Sequence, residues 1–197
     1  KFDIIIFVVD ITSALNTSDE VDILENIITN CKNNYEKYDI HNKLIILANK
    51  CDEMSISDDG TLILEEDHEE MMSQLNKLVD EKIKGIFPSL EHEIKPISCE
   101  DSYIYRMFNR NPEFELDMKY LNKFGYNEYG KSKCNKLKES ERRAKIKELL
   151  DDIDMEETTN ITGFNGFKNL LNSYLTPVNQ KVYINNHISQ GLSKIIG

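Results

Sequence analysis

The stretch LIILANKCD (residues 44–52) runs five apolar residues into Asn49, Lys50 and, one residue later, Asp52. The apolar run reads as a buried strand. The carboxyl ends of strands are where open α/β sheets bind ligands. A carboxylate placed there accepts two parallel hydrogen bonds from a ligand with adjacent N–H donors, such as guanine at N1 and its amino group. Adenine has an acceptor at N1 and no amino group at C2, so it would leave that carboxylate unpaired. A site built on buried polar complementarity rejects such a ligand. Lys50 can lay its apolar stem across a base face and keep its ammonium hydrated. Asn49 can donate to a purine acceptor and tie neighbouring loops together. Three fixed letters in a chain rich in Asn, Lys and Asp also fit an ordinary solvated strand end, so context has to decide between the two.

That context is a series of elements able to position the motif. FDIIIFVVDI (2–11) is a β-branched apolar run of the kind covered on both faces. Val21, Leu24, Ile27, Ile28 and Cys31 fall at helical spacing within 17–38, and Ser18 is a suitable cap. Residues 43–50 form a second strand and 65–87 a second amphipathic helix with Gly85 near its end. HEIKPISCED (92–101) holds a short third strand. Right-handed crossovers would place strands 2–10, 43–49 and 93–98 parallel in one sheet. Residues 106–160 are charged and carry no strand signal. Helices are expected at 115–125 and 140–153, with no internal repeat. At 162–175 an amphipathic helix returns, with Phe164, Phe167, Leu170, Leu171 and Leu175 on one side and Pro177 beyond its end. A last, weak helical segment spans 185–196.

The third strand ends on Ser98-Cys99, and here the chain resembles the P-loop GTPases. Asn49-Lys50-Cys51-Asp52 is similar to their base-recognition motif, Asn/Thr-Lys-x-Asp, and Ser98-Cys99 to their later Ser-Ala loop. The resemblance implies a guanine site of Asn49, Lys50, Asp52, Ser98 and Cys99, with a backbone N–H of the Ser98-Cys99 loop given to the guanine oxygen. It implies an α/β fold: the C-terminal half of a parallel-sheet P-loop NTPase-like G domain, with three strands, helices on both faces and a helical insertion. The divisions are 1–101 for the base-binding half, 102–161 for the insertion, and 162–197 for the closing helix and C-terminal segment. The ligand implied is GTP or GDP. Mg²⁺ and hydrolysis are expected only with an N-terminal half carrying the phosphate loop and D-x-x-G switch. Large insertions are similar to those of dynamin-like GTPases, though no motif fixes that subfamily. Asp10, at the end of the first strand, is expected to be mainly structural.

GYNEYGKS (125–132) disputes this order, because it matches G-x-x-x-x-G-K-[ST] letter for letter. A circularly permuted GTPase would carry its phosphate loop in this position. The chemistry favours a surface turn: LDMKYLNKF is charged and weakly β, and Tyr126, Asn127, Glu128 and Tyr129 would crowd amides that must wrap phosphates. A third reading is an interaction domain that keeps the fold without a working site. The other candidates are weaker. His41, His68, His92 and His187 are scattered and read as surface residues. The acidic stretch 56–70 lacks the alternating spacing of a calcium loop and suits a solvated helix start.

The net charge of −11 argues against phosphate-driven nucleic-acid binding. Cys31, Cys51, Cys99 and Cys134 form no C-x-x-C pair and fit free thiols in a reducing, cytoplasmic setting. No apolar run is long enough to span a bilayer. The partners expected are a guanine nucleotide and a protein partner or a second copy.

Overall fold

The computed structural model describes residues 4–13, 17–52, 54–57, 61–111, 115–152 and 154–175. The architecture is α/β. Strands β1 (Ile4–Asp10), β2 (Lys43–Asn49) and β5 (Glu91–Ile97) form one sheet in the order β1-β2-β5, parallel at both pairings. Asp10, Asn49 and Ile97 lie in register at one edge, so the three strands deliver their carboxyl ends to one place. The third strand begins and ends slightly earlier than the sequence suggests, because Cys99 already starts a helix.

Helix α1 (Ser18–Tyr38) and helix α2 (Glu66–Ile86) cover one face of the sheet. Leu24, Ile28 and Cys31 of α1 and Leu75, Val79 and Ile83 of α2 are buried against Leu44, Ile46 and Ala48. Each of the leucine, isoleucine and valine side chains among them contributes about 1.5–3 kcal/mol relative to exposure. The cap of α1 is Thr17, one residue before the expected Ser18: its side chain accepts from the Glu20 N–H. Between β2 and α2 lies a short antiparallel pair, β3 (Ser55–Ile56) with β4 (Leu62–Ile63). Its two-residue strands left no period to detect in the acidic stretch 56–70.

Helix α8 (Phe164–Tyr174) packs Phe164, Phe167, Leu170, Leu171 and Tyr174 on the other face, against Ile45, Leu47 and Ile97. Leu175 was expected in this stripe but is half exposed, because the helix ends at Tyr174. β1 was expected to be covered on both faces. Among the described residues it is instead the edge strand of the sheet, with Ile6 and Val8 44% and 52% exposed.

The interval between β5 and α8 is helical: α3 (Cys99–Arg110), α4 (Met118–Tyr129), α5 (Lys131–Cys134), α6 (Glu139–Asp151) and α7 (Met155–Ile161). It has its own apolar cluster, with Ile104, Phe108, Leu116, Leu121, Ile146 and Leu150 buried together. α3 runs through the expected boundary at 101, so the helical region begins in the Ser98-Cys99 loop itself. The segment expected at 185–196 lies outside the described residues.

Candidate functional site

Asn49 is the last residue of β2, and Lys50 turns the chain with φ of 69°. A left-handed lysine is uncommon, and such outliers concentrate where surrounding structure imposes them. The next amide, of Cys51, donates to Ile97 O of β5 at 3.3 Å. Cys51 is fully buried and its Sγ donates to Ala48 O at 3.2 Å. Burial pushes its thiol up to about 11, so it is no nucleophile at neutral pH. The ammonium of Lys50 was expected to stay hydrated. It is paired with Asp10 Oδ2. The other oxygen of Asp10 accepts from the Thr12 N–H at 3.0 Å and Thr12 Oγ1 at 2.7 Å. Burial pushes the Asp10 carboxyl up, but the Lys50 and Thr12 hydrogen bonds outweigh it and hold the group below its ordinary value.

Ser98 is buried, and its N–H donates to Thr162 O at 3.0 Å. That contact needs the neighbouring glycine. Gly163 has φ of 74°, and a Cβ there would stand 2.3 Å from Pro96 O. The turn before α8 therefore lies directly on the end of β5 and fixes Ser98. Ser98 Oγ is 2.8 Å from Asp52 Oδ1 and 2.9 Å from Asp101 Oδ2. One hydroxyl proton serves one of these acceptors at a time. The Cys99 N–H donates to Asn49 Oδ1 at 3.0 Å. The loops after β2 and β5 thus meet at the carboxyl edge, and four of the five singled-out residues, Asn49, Asp52, Ser98 and Cys99, are joined by direct hydrogen bonds. Lys50 points the other way, to Asp10.

Lys123 escaped the sequence reading. It projects from α4 to Asp101 Oδ1 at 2.8 Å, Asp52 Oδ2 at 3.1 Å and Glu100 Oε2 at 3.6 Å. Its side chain is 22% exposed. Burial pulls its pKa down, yet the hydrogen bonds and charges of Asp101 and Asp52 outweigh burial and leave it above the ordinary lysine value. No spacing relates residue 123 to residue 52, so only the tertiary fold could reveal the contact. Lys119, one turn earlier on α4, pairs with Glu100. Lys123 also lines a cavity of about 400 Å³, together with Cys51, Tyr105, Phe124, Asn127 and Glu128 among others.

Residues 125–132 do not form a strand–loop–helix. Gly125 lies inside α4, buried, where a Cβ would stand 2.4 Å from Cys134 Sγ. Gly130, with φ of 75°, breaks the chain between α4 and the single turn of α5. The glycines of GYNEYGKS therefore serve helix packing and a turn. Among the described residues, no group of three or more His, Cys, Asp or Glu gathers as a metal site. Also among them, no helix is long and apolar enough to cross a membrane. His92, read as a surface residue, is half-buried and its Nε2 lies 3.1 Å from Asp80 Oδ1. His187 lies outside the described residues.

No family model, curated protein or solved structure matches the chain.

Proposed function

We propose that this chain binds a guanine nucleotide, with Asp52 reading the base at the carboxyl edge of the sheet. The observation that carries the reading is the junction of Asn49 and Asp52 with Ser98 and Cys99, across adjacent parallel strands. The strand order β1-β2-β5, with helices on both faces, agrees with the base-binding half of a P-loop NTPase-like G domain. Asp52 accepts from guanine N1–H and the amino group. Asn49 holds the two loops together. Lys50 is fixed by Asp10, so its stem rather than its ammonium meets the base. The Cys99 N–H is already given to Asn49. The first-turn amides of Glu100 and Asp101 have no intrahelical acceptor by position and are the donors for the base oxygen. Mg²⁺ and hydrolysis are assigned to a phosphate loop and switch outside the described residues, and residues 125–132 give a permuted order no support.

A second reading has one observation in its favour. Both oxygens of Asp52 have partners within the chain, Ser98 and Lys123, which suits an interaction domain whose site is closed. Calorimetric titration with guanosine and GTP, against adenosine and ATP, separates the two. Guanine-selective binding supports the first reading, and no binding of either base supports the second.

A further inference from the structure

Resting on that base-reading proposal, we infer that α4 latches the site: Lys123 occupies the Asp52 oxygen that guanine needs, so base and lysine exclude each other and base binding frees α4 from its contact with Asp52. A carboxylate that reads N1–H and the amino group uses both oxygens. Oδ1 is readily freed, because Ser98 Oγ can turn to Asp101 Oδ2 at 2.9 Å instead of Asp52 at 2.8 Å. Oδ2 is held at 3.1 Å by Lys123. The base therefore competes with one ammonium.

The ammonium can leave without being stranded. Asp101 Oδ1 at 2.8 Å and Glu100 Oε2 at 3.6 Å keep it paired when Asp52 is given up. An uncompensated buried charge would make such a movement costly, and a charge that keeps two carboxylates avoids most of that cost. The cavity beside Lys123, lined also by Asn127 and Glu128, leaves room for the side chain to swing. Apart from Lys123 itself, the polar tie of α4 to the start of α3 is one pair, Lys119 with Glu100, and Phe124 meets Tyr105 edge-on with ring centroids 5.6 Å apart. α4 can thus yield at its Asp52 contact while the cluster around Leu121 and Ile146 stays packed. The insertion becomes the reporter of base occupancy, with Lys123 as its contact.

The test uses guanosine, which has no phosphates and so reports the base site alone, with adenosine as the control. Lys123→Met removes the ammonium and keeps the length of the side chain. Lys123→Arg keeps a charged plug. If the open form is about a tenth of the population, Lys123→Met binds guanosine about tenfold tighter than the unsubstituted chain. Lys123→Arg binds no tighter than the unsubstituted chain. Hydrogen exchange on the unsubstituted chain, which needs no variant to fold, reads the other half: guanosine speeds exchange of the α4 amides around Lys123. Guanosine affinity unchanged or weakened in a folded Lys123→Met, or α4 exchange unmoved at saturation, overturns the latch. If guanosine binds no tighter to either variant yet all three proteins prefer it to adenosine, the latch falls and the base reading stands. If none distinguishes the two nucleosides, the base reading falls and the latch with it.

Discussion

The backbone N–H of Cys99 donates to Asn49 Oδ1 at 3.0 Å, joining the ends of two adjacent strands across fifty residues of chain. A side-chain amide at the end of β2 thereby fixes the first residue of α3, one of the helix amides with no intrahelical acceptor. Asn49→Ala deletes the acceptor. Water can reach the exposed Cys99, so the expected loss is modest, about 0.5–1.5 kcal/mol by denaturant unfolding. Exchange of the Cys99 amide is expected to speed up, and Asn49→Asp, which keeps an acceptor oxygen, to restore its protection. Equal Cys99 protection in Asn49→Ala and the unsubstituted chain would mean that the contact does not hold the loops.

Two glycines are expected to respond with opposite signs. Gly163→Ala puts a methyl group at φ of 74° and 2.3 Å from Pro96 O, and so loosens the Thr162 bond that holds Ser98. Strain of this kind costs about 1–3 kcal/mol. Gly85 lies in the last turn of α2 with open space around it. Gly85→Ala is expected to stabilise by about 0.5–1 kcal/mol, through helix propensity alone. Thermal and denaturant unfolding of the two variants measures both; a destabilised Gly85→Ala would contradict the open environment.

The three parallel strands and helices α1, α2 and α8 were legible in the sequence because each writes its burial as a period or an unbroken apolar run. Ile45 and Leu47 face α8 while Leu44 and Ile46 face α1 and α2, and such two-sided burial leaves a continuous run. The approach of the Asp52 loop to the Ser98-Cys99 loop was also legible, because parallel strands bring their ends to one edge, though the partner of Asp52 is the Ser98 hydroxyl and that of Cys99 is Asn49. Lys123 was not, since its partners are set by the packing of α4 rather than by any local pattern. α3 was hidden for a different reason: its first residues overlap the end of a strand, and propensity cannot divide ISCED between the two. The exposure of Ile6 and Val8 was invisible because an apolar run reads the same whether or not its second face is covered.

The Lys50–Asp10 pair predicts an acid-side dependence of stability. The folded Asp10 carboxyl lies below its ordinary value of 3.8, so its contribution is fully present above that value. As pH falls from there through the lower folded value, the unfolded chain takes up the proton first and the contribution is lost. Both groups are partly open to solvent, with 59% of the Lys50 side chain exposed, so the effect is small and salt-dependent. Lys50→Met is expected to flatten the fall in stability below about pH 4. Parallel pH–stability curves for the two proteins would show that the pair carries no linkage.

Cys99 is the exposed thiol among the described residues, while Cys31, Cys51 and Cys134 are buried. Burial pushes Cys31 and Cys51 up to about 11, which removes their thiolates as well as their access. Partial burial raises the Cys99 thiol as well, but Cys99 keeps the access the other three lack, so a thiol reagent at mildly alkaline pH is expected to label it alone among them in the native chain. Cys99→Ser should remove that fast label. Cys99 adjoins Asn49, so saturating guanosine is expected to slow labelling and adenosine to leave it unchanged. Equal rates with both nucleosides would place the base elsewhere.

The sharpest prediction concerns Asp52→Asn. Asp52 Oδ1 accepts from Ser98 Oγ, and an asparagine keeps that acceptor when its oxygen faces Ser98. Its NH₂ then takes the place of Oδ2. There it meets the amino group of guanine donor to donor, so one hydrogen bond is lost and a repulsion appears. Leaving such groups unpaired costs about 1–3 kcal/mol, or about one to two orders of magnitude in GTP affinity. Xanthine has an oxygen where guanine has its amino group, so the new NH₂ gains an acceptor from that base. The expected outcome is a change of preference from GTP to xanthosine triphosphate, not a general loss of binding. The same NH₂ would also face the Lys123 ammonium, donor to donor, where the carboxylate now attracts it at 3.1 Å. The substitution therefore weakens the proposed latch as well as changing the base preference. Competition binding with the two triphosphates, on the folded variant and on Asp52→Asn combined with Lys123→Met, separates these effects. A switch in preference present in both proteins belongs to the base. Lys123→Met measured alone isolates the latch: a gain in GTP affinity there that is not repeated when Asp52→Asn is already present belongs to it. Unchanged GTP affinity in a folded Asp52→Asn would mean that Asp52 does not read the base.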